Sequence, residues 1–264
     1  MSLDHQEYLG TQLTSIAAEK AGIIKPHVPV VVAPQPAEAR QVIAKRAAEL
    51  QAPLIEENAA LIDEADTGLF HFQYHTALAD YSVQLNLRGA HQVINARTAI
   101  HLAEQLRLRG LCIPKSAIEA GLQQVNWVGR LEMIEVKNRQ LLLDGAHNLA
   151  GAQTLQEFIR AYETALPITM IFGAMSDKSI AGMAEMLFPF AHLVIATRIN
   201  NPRSADPSLI VDAATQLGKP SLAAASVAEA LTIAFQKTAP KELICVCGSL
   251  YLIGEVKERL TAEA

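Results

Sequence analysis

Much that would place this 264-residue chain in a special class is missing from it. No apolar run approaches the roughly 20 residues needed to cross a bilayer, and no signal peptide precedes the first element. Membrane insertion is not expected, and a reducing cytoplasm is the expected compartment. Cysteine is scarce: Cys112, Cys245 and Cys247 are all there is, and their spacing makes neither a disulfide framework nor a zinc pattern. Cys245 and Cys247 alternate with Val246 in what reads as one strand, where buried thiols act as small hydrophobes. Positive charge is short too. At a net −5 the chain is a poor match for a nucleic-acid surface, which normally shows a basic patch. Familiar nucleotide and nucleophile motifs are also absent. No G-x-x-x-x-G-K-[ST] occurs, because the Gly218-Lys219 pair runs into Pro220 and lacks the upstream glycine. Neither G-x-G-x-x-G nor G-x-S-x-G appears, so a dinucleotide oxidoreductase and the usual hydrolase elbow are unsupported.

Half the residues are apolar and 19% are charged, ordinary proportions for a soluble globular protein. The length suits two domains or one large one. The strongest local pattern is Leu142-Leu143-Asp144-Gly145-Ala146-His147-Asn148, followed by apolar residues at helical spacing from Leu149 to Ile159. It predicts a strand, a tight turn and a helix, with glycine easing the turn and Asn148 capping the helix. An acid and an imidazole are thereby delivered to the carboxyl end of a buried strand, where open α/β sheets bind ligands. The adjoining helix N-terminus also favours phosphate. A capped helix after a core strand, with Asp144 and His147 merely closing the turn, explains the same residues, and both readings stand at this point.

Upstream, apolar spacing predicts a helix over about 12–21, with Leu13, Ile16, Ala17 and Ala21 on one face and Gly22 as its end. A short strand at 29–33, a helix over 37–50 and a weak strand at Leu54-Ile55 follow. Residues 69–75 and 81–87 read as a hairpin. His71 and His75 share a face there, but no third ligand lies nearby, so an exposed strand pair explains them better than a metal. Gly89-Ala90-His91-Gln92 leads into a helix through Asn95, Ala99, Leu102 and Leu106, with Gln92 and Asn95 on one side of its first turn. Pro114 opens another helix over 115–122. Trp127-Val128-Gly129-Arg130 breaks the pattern and divides 1–128 from 129–264. Beyond it strands and helices alternate, the mark of a mostly parallel sheet covered by helices. Strands are expected at 131–136, 141–143, 168–172, 193–196 and 243–247. Helices are expected at 180–187, 207–217 and 227–236, and from Gly248-Ser249-Leu250-Tyr251 onward. Asp144, His147, Asp177, Lys178, Thr197, Arg203 and Ser249 all follow strands. Singly each reads as a cap or a surface charge; together they point to a site.

Six stretches in order resemble one family. They are Leu3-Asp4-His5 with Leu9-Gly10-Thr11, Ala18-Glu19-Lys20-Ala21-Gly22-Ile23, His91-Gln92 with Asn95-Ala96, Gly129-Arg130-Leu131-Glu132, Asp144-Gly145-Ala146-His147-Asn148, and Gly248-Ser249-Leu250-Tyr251. The chain resembles the folylpolyglutamate synthase/dihydrofolate synthase branch of the Mur ligase superfamily. The resemblance implies an α/β chain: part of a Mur-ligase-type ATPase domain over 1–128, then a Rossmann-like C-terminal glutamate-ligase domain over 129–264 with a mostly parallel sheet. The family's P-loop segment and its magnesium-holding glutamate have no counterpart among these residues, so the chain alone is expected to be inactive.

The implied activity is an ATP-dependent amide ligase. ATP phosphorylates a carboxylate on folate or dihydropteroate, and the amine of L-glutamate attacks the acyl phosphate. In family terms, His5 is a magnesium ligand, and Lys20 is carbamylated, which turns an ammonium into an oxygen donor of the kind Mg2+ prefers. Asn95 and Gln92 meet the adenine. Arg130, whose fork suits phosphate oxygens, and Asp144 serve ATP. His147 lies by the acyl phosphate or the incoming glutamate, and Ser249 recognises glutamate, with Lys178 and Arg203 as further candidates. Lys20, Arg130 and His147 form the implied catalytic set. The implied partners are ATP with Mg2+, L-glutamate and folate or dihydropteroate, bound by a monomer that takes no nucleic acid. Two positions depart from the family: Val128 where proline is common, and Ser179 where aspartate is. The alternatives are a non-catalytic ligand-binding fragment and another Mur-type ligase acting on peptidoglycan precursors. The Asp-Gly-Ala-His-Asn and Gly-Ser-Leu-Tyr forms favour folate over the latter.

Overall fold

The computed structural model describes residues 12–57, 69–161 and 167–262, so His5 lies outside the described residues. The chain divides into two compact units, 1–126 and 127–264. In the first, α1 (Leu13–Ala21), β1 (Val30–Val32), α2 (Ala37–Glu49) and β2 (Leu54–Glu56) precede β3 (Phe70–His75), β4 (Asp80–Leu85), α3 (Ala90–Leu108) and α4 (Lys115–Gln124). β1 and β2 pair in parallel, and Val32 packs with Ala21, Ile24, Ile43 and Ala47. β3 and β4 form the expected antiparallel hairpin, Tyr74 opposite Tyr81. Alternate residues Tyr81, Val83 and Leu85 point inward onto Val93, Ala96 and Ile100 of α3 and Ile118 of α4.

Gly22 caps the end of α1 as expected, with a φ of −59° rather than in a left-handed turn. Ala99, Leu102 and Leu106 of α3 face outward, Leu102 being 49% exposed. The buried face instead carries Arg97 and Glu104 beside Val93, Ala96 and Ile100. Arg97 donates to Glu57 at 3.1 Å and lies over the Phe72 and Tyr74 rings. Glu104 accepts from the Thr76 and Tyr81 hydroxyls. Charges enter a core only when paired in this way. Burial, then the Glu57 carboxylate, push the Tyr74 hydroxyl up to about 12, so it stays protonated in its bond with His101 Nε2.

The second unit runs β5 (Glu132–Val136), β6 (Arg139–Leu143), α5 (Leu149–Ala161), β7 (Ile168–Phe172), α6 (Ile180–Leu187), β8 (Ala191–Thr197), α7 (Pro207–Gln216), β9 (Ser221–Ala224), α8 (Val227–Lys237), β10 (Leu243–Cys247) and α9 (Leu250–Ala262). These strands form one sheet in the order β5-β6-β10-β7-β8-β9. All neighbours are parallel except β5 and β6. From β6 the chain moves outward through β7, β8 and β9, then returns to set β10 in the gap between β6 and β7. Side chains alternate between two covered faces. Leu142, Met170, Phe172, Cys245 and Cys247 pack with residues of α5, α6 and α7. Leu141, Leu143, Ile171, Ile244 and Val246 pack with those of α8 and α9. The mostly parallel sheet covered by helices is therefore present. The sequence pattern did not disclose that β5 and β6 fold back on each other, or that β9 exists. Lys137 and Asn138, both left-handed, make the two-residue hairpin turn, as such turns require.

Among the described residues no helix is long and apolar enough to cross a membrane. The neighbouring Cys245 thiol, and then burial, push the Cys247 thiol well up, and Cys112 is the exposed cysteine. A thiol reagent added to native protein should label Cys112 first and reach Cys245 and Cys247 only in denaturant. Rapid labelling of all three in the native state would contradict the strand placement.

Candidate functional site

Three segments of the second unit converge where β6 ends. The Asp144 N–H donates to Val246 O at 3.0 Å, holding the strand end beside β10. The Asp144 side chain then turns inward and is 8% exposed. Its Oδ2 accepts the Leu131 N–H and its Oδ1 the Ala146 N–H, both at 2.9 Å. Gly145 N–H donates to Gly129 O at 2.8 Å. The carboxylate and this backbone bond tie the Asp144–Asn148 turn to the Gly129–Leu131 segment. That segment is strained as well as tied: Leu131 has a φ of 45°, which few branched side chains adopt.

Gly145 is the meeting point. A Cβ there would stand 2.3 Å from Leu250 Cδ2 and 3.2 Å from Arg130 Nη1, so the turn, the arginine and the start of α9 close on the one residue without a side chain. The neighbouring strand ends are as tight. Gly248 has a φ of 109°, and a Cβ on it would lie 2.4 Å from Gly173 O. Asn148 Oδ1 accepts the Gly151 N–H at 2.8 Å and caps α5. Ser249 Oγ accepts the Tyr251 N–H at 3.2 Å at the start of α9. His147 Nδ1 lies 2.8 Å from Gly145 O. A carbonyl only accepts, so Nδ1 carries the proton in this bond.

The loops after β7 and β8 continue the same edge. Thr197 is the last residue of β8 and is fully buried, which makes it a packing residue against Gly173. Lys178 Nζ is 3.3 Å from Asp177, and Arg203 is exposed. In the first unit, Asn95 Nδ2 donates to the buried Gln92 Oε1 at 3.0 Å, so the predicted pair does share the first turn of α3. Lys20 is exposed at the end of α1, on the rim of a hollow of about 200 Å³ lined mainly by Ile24, Val30, Val32 and Ile43. Among the described residues no cluster of three or more His, Cys, Asp or Glu side chains is placed to hold a metal. His75 pairs with Asp80 on the exposed hairpin. Leu250 and the Leu131 amide, both central to the Gly145 corner, escaped the sequence reading because apolar side chains and backbone groups leave no chemical signature.

Residues 129–250 match the model of the Mur ligase, glutamate ligase domain, and the second unit belongs to that class of fold. Along nearly its whole length the chain is similar to dihydrofolate synthase/folylpolyglutamate synthases. The Bacillus subtilis protein of that name is 31% identical over 262 residues, which is 97% of this chain and 60% of the relative. The dihydrofolate synthetase of Saccharomyces cerevisiae is 30% identical, with 97% of this chain and 63% of the relative covered. Among solved structures, Escherichia coli FolC in complex with DHPP and ADP superposes with a TM-score of 0.84 at 26% identity, covering 100% of this chain and 60% of that one. Mycobacterium tuberculosis folylpolyglutamate synthase complexed with ADP gives 0.85 at 26% identity, covering 98% and 62%. The chain thus spans about three-fifths of the relatives it matches.

Burial pushes the Asp144 carboxyl up from its ordinary value, against the pull of the Leu131 and Ala146 amides, Arg130 and His147. Between the ordinary and the raised value, the folded protein holds a proton that the unfolded chain has released. Asp144 therefore subtracts stability as pH rises through that window. A carboxyl-carbon NMR titration should place its midpoint above that of an exposed aspartate; a midpoint at or below it would refute the reading. Gly248→Ala combines a disallowed φ with a backbone clash and should cost about 2–4 kcal/mol in urea denaturation, whereas an unchanged midpoint would show that the strand ends are looser than described.

Proposed function

We propose that this chain supplies the nucleotide- and glutamate-handling part of an ATP-dependent acid–amino-acid ligase of the dihydrofolate/folylpolyglutamate synthase kind. Residues 1–128 would belong to the ATP-binding domain and 129–264 to the glutamate-ligase domain. One observation carries the reading. Arg130, the Asp144–Asn148 turn and the start of α9 close on Gly145, at the carboxyl edge of an α/β sheet. Relatives solved with ADP support nucleotide use.

In the reaction, a carboxylate oxygen of folate or dihydropteroate attacks the γ-phosphorus of ATP, and ADP leaves. The glutamate nitrogen then attacks the acyl carbon, inorganic phosphate leaves, and the nitrogen loses a proton as the amide forms. Arg130 sets a bidentate cation against phosphate oxygens as charge shifts towards ADP. Asp144 holds the Arg130 segment against the turn. His147, protonated at Nδ1, has Nε2 as the atom to take a proton from the incoming ammonium. Gln92 and Asn95 are assigned to the adenine, Ser249 to the glutamate, and Lys20, carbamylated, to the metal that accompanies the phosphates. Lys20, once carbamylated, would supply an oxygen donor to the magnesium that accompanies ATP.

The test is ATP-driven transfer of labelled L-glutamate onto dihydropteroate or folate by the ligase that carries these residues. Glutamate-dependent ADP release is expected. Arg130→Ala should lower kcat/KM by about a hundredfold or more, and Lys20→Ala should abolish turnover. Absence of any glutamate transfer by the unmutated ligase would sink the proposal and leave a ligand-binding module.

A further inference from the structure

One stripe of α9 runs along the segment that carries Arg130. Leu250, Ile253 and Lys257 are three and four residues apart and so share a side of the helix. Leu250 stands at the Gly145 corner. The methyl group that Gly145 lacks would lie 2.3 Å from Leu250 Cδ2 and 3.2 Å from Arg130 Nη1, so leucine and guanidinium adjoin across that gap. One turn on, a Cβ added to Gly129 would lie 3.0 Å from Ile253 Cγ2. A further turn on, Lys257 Nζ donates to Glu132 Oε1 at 2.5 Å, and Glu132 Oε2 accepts the Gly129 N–H at 2.9 Å. Gly129 is thus held at its N–H by Glu132 and at its C=O by Gly145, while Asp144 holds the Leu131 N–H. The backbone is tied on both sides of Arg130.

The side chain of Arg130 is a separate matter, and there the neighbour from α9 is apolar. Leu250 opens the helix and is 42% exposed. Acidic residues are favoured in a first helical turn, yet α9 has none there. A carboxylate in place of Leu250 would suit the helix but would pair with Arg130 and occupy its fork. Leu149, at the start of α5, is as exposed at 44% but leans elsewhere: its Cδ2 would lie 2.7 Å from a Cβ on Gly182.

We infer that Leu250 is a positioning residue for Arg130, an apolar wall that limits where the guanidinium points and leaves its donors to phosphate oxygens. The inference rests on the ligase reading for the identity of that anion. A wall without an acceptor narrows the rotamers of the arginine and excludes water beside it, which strengthens its pull on charge developing at phosphorus. Water that reached the acyl phosphate would regenerate the carboxylate and release inorganic phosphate, so ATP would be consumed with no amide formed. Leu250 thereby couples ATP use to amide formation.

Two measurements test this. In the ligase carrying these residues, Leu250→Ala should lower kcat/KM for ATP about tenfold to a hundredfold. It should also release ADP without glutamate when the acyl substrate is present, and form more ADP than amide when glutamate is added. Leu250→Met, which restores apolar volume, should recover most of the loss. Leu250→Glu, favourable to the helix start, should resemble Arg130→Ala, whereas Leu149→Ala should keep ADP and amide equal. In the 264-residue chain, NMR of the Arg130 guanidinium should show faster rotation about Cζ–Nε and faster Nε–H exchange in Leu250→Ala, with thermal unfolding unchanged. An active ligase whose ATP kinetics and ADP-to-amide ratio ignore Leu250, or follow Leu149→Ala as strongly, overturns this inference alone. Guanidinium motion that follows Leu250 in a protein that never makes an amide overturns the ligase reading alone. Guanidinium motion that ignores Leu250 overturns the inference.

Discussion

The Asp144 carboxylate is the constraint on which the recognition edge depends. Buried and turned away from solvent, it accepts one backbone N–H from the turn that it begins and one from Leu131. Among the described residues those two amides have no other acceptor, so deleting the carboxylate would strand both, at a cost of about 1–3 kcal/mol each. The bond to Leu131 also offsets the strain of its left-handed backbone and so fixes where Arg130 starts. A group that the family resemblance presents as serving a nucleotide is thus, in the fold, first a clamp that aims other groups. The two roles are compatible, since each carboxylate oxygen retains a second lone pair.

The first unit shows a related use of buried charge. Arg97 and Glu57 are paired and nearly inaccessible, yet among the described residues Glu57 Oε2 has no hydrogen-bond partner. A buried pair with one oxygen unsatisfied is a poor source of net stability, because desolvation cancels most of the attraction. Its clearer effect is orientation. With Arg97 over two aromatic rings and Glu104 held by two hydroxyls, α3 has one rotational setting, and Gln92 and Asn95 at its start take their direction from it.

How much was legible in the residues follows from which forces leave a periodic trace. The strand–turn–helix at Leu142–Ile159 was readable because an apolar run, a glycine and a capping asparagine agree with one another. The parallel core strands were readable for the same reason. β9 was not: Ser221-Leu222-Ala223-Ala224 has little strand propensity, and pairing with β8 makes it a strand. The inward face of α3 was not legible, because Arg97 and Glu104 pass for surface residues until their partners are known, and those partners lie far off in sequence. At the site, the polar residues were visible one by one. The contact of Gly145 with Leu250 arises from tertiary packing and does not write itself into local sequence.

The place of β10 has a consequence for how the molecule is made. The final strand of the second unit is the middle of its sheet, and β6 and β7 have no direct pairing to fall back on. Until residues 243–247 emerge from the ribosome, the two halves of the sheet each present an unprotected inner edge. The unit therefore assembles late and in one step, through contacts of long sequence separation, which makes for slow folding and a period of vulnerability to association. A stop codon or frameshift ahead of residue 243 would not trim this unit but leave it without a centre.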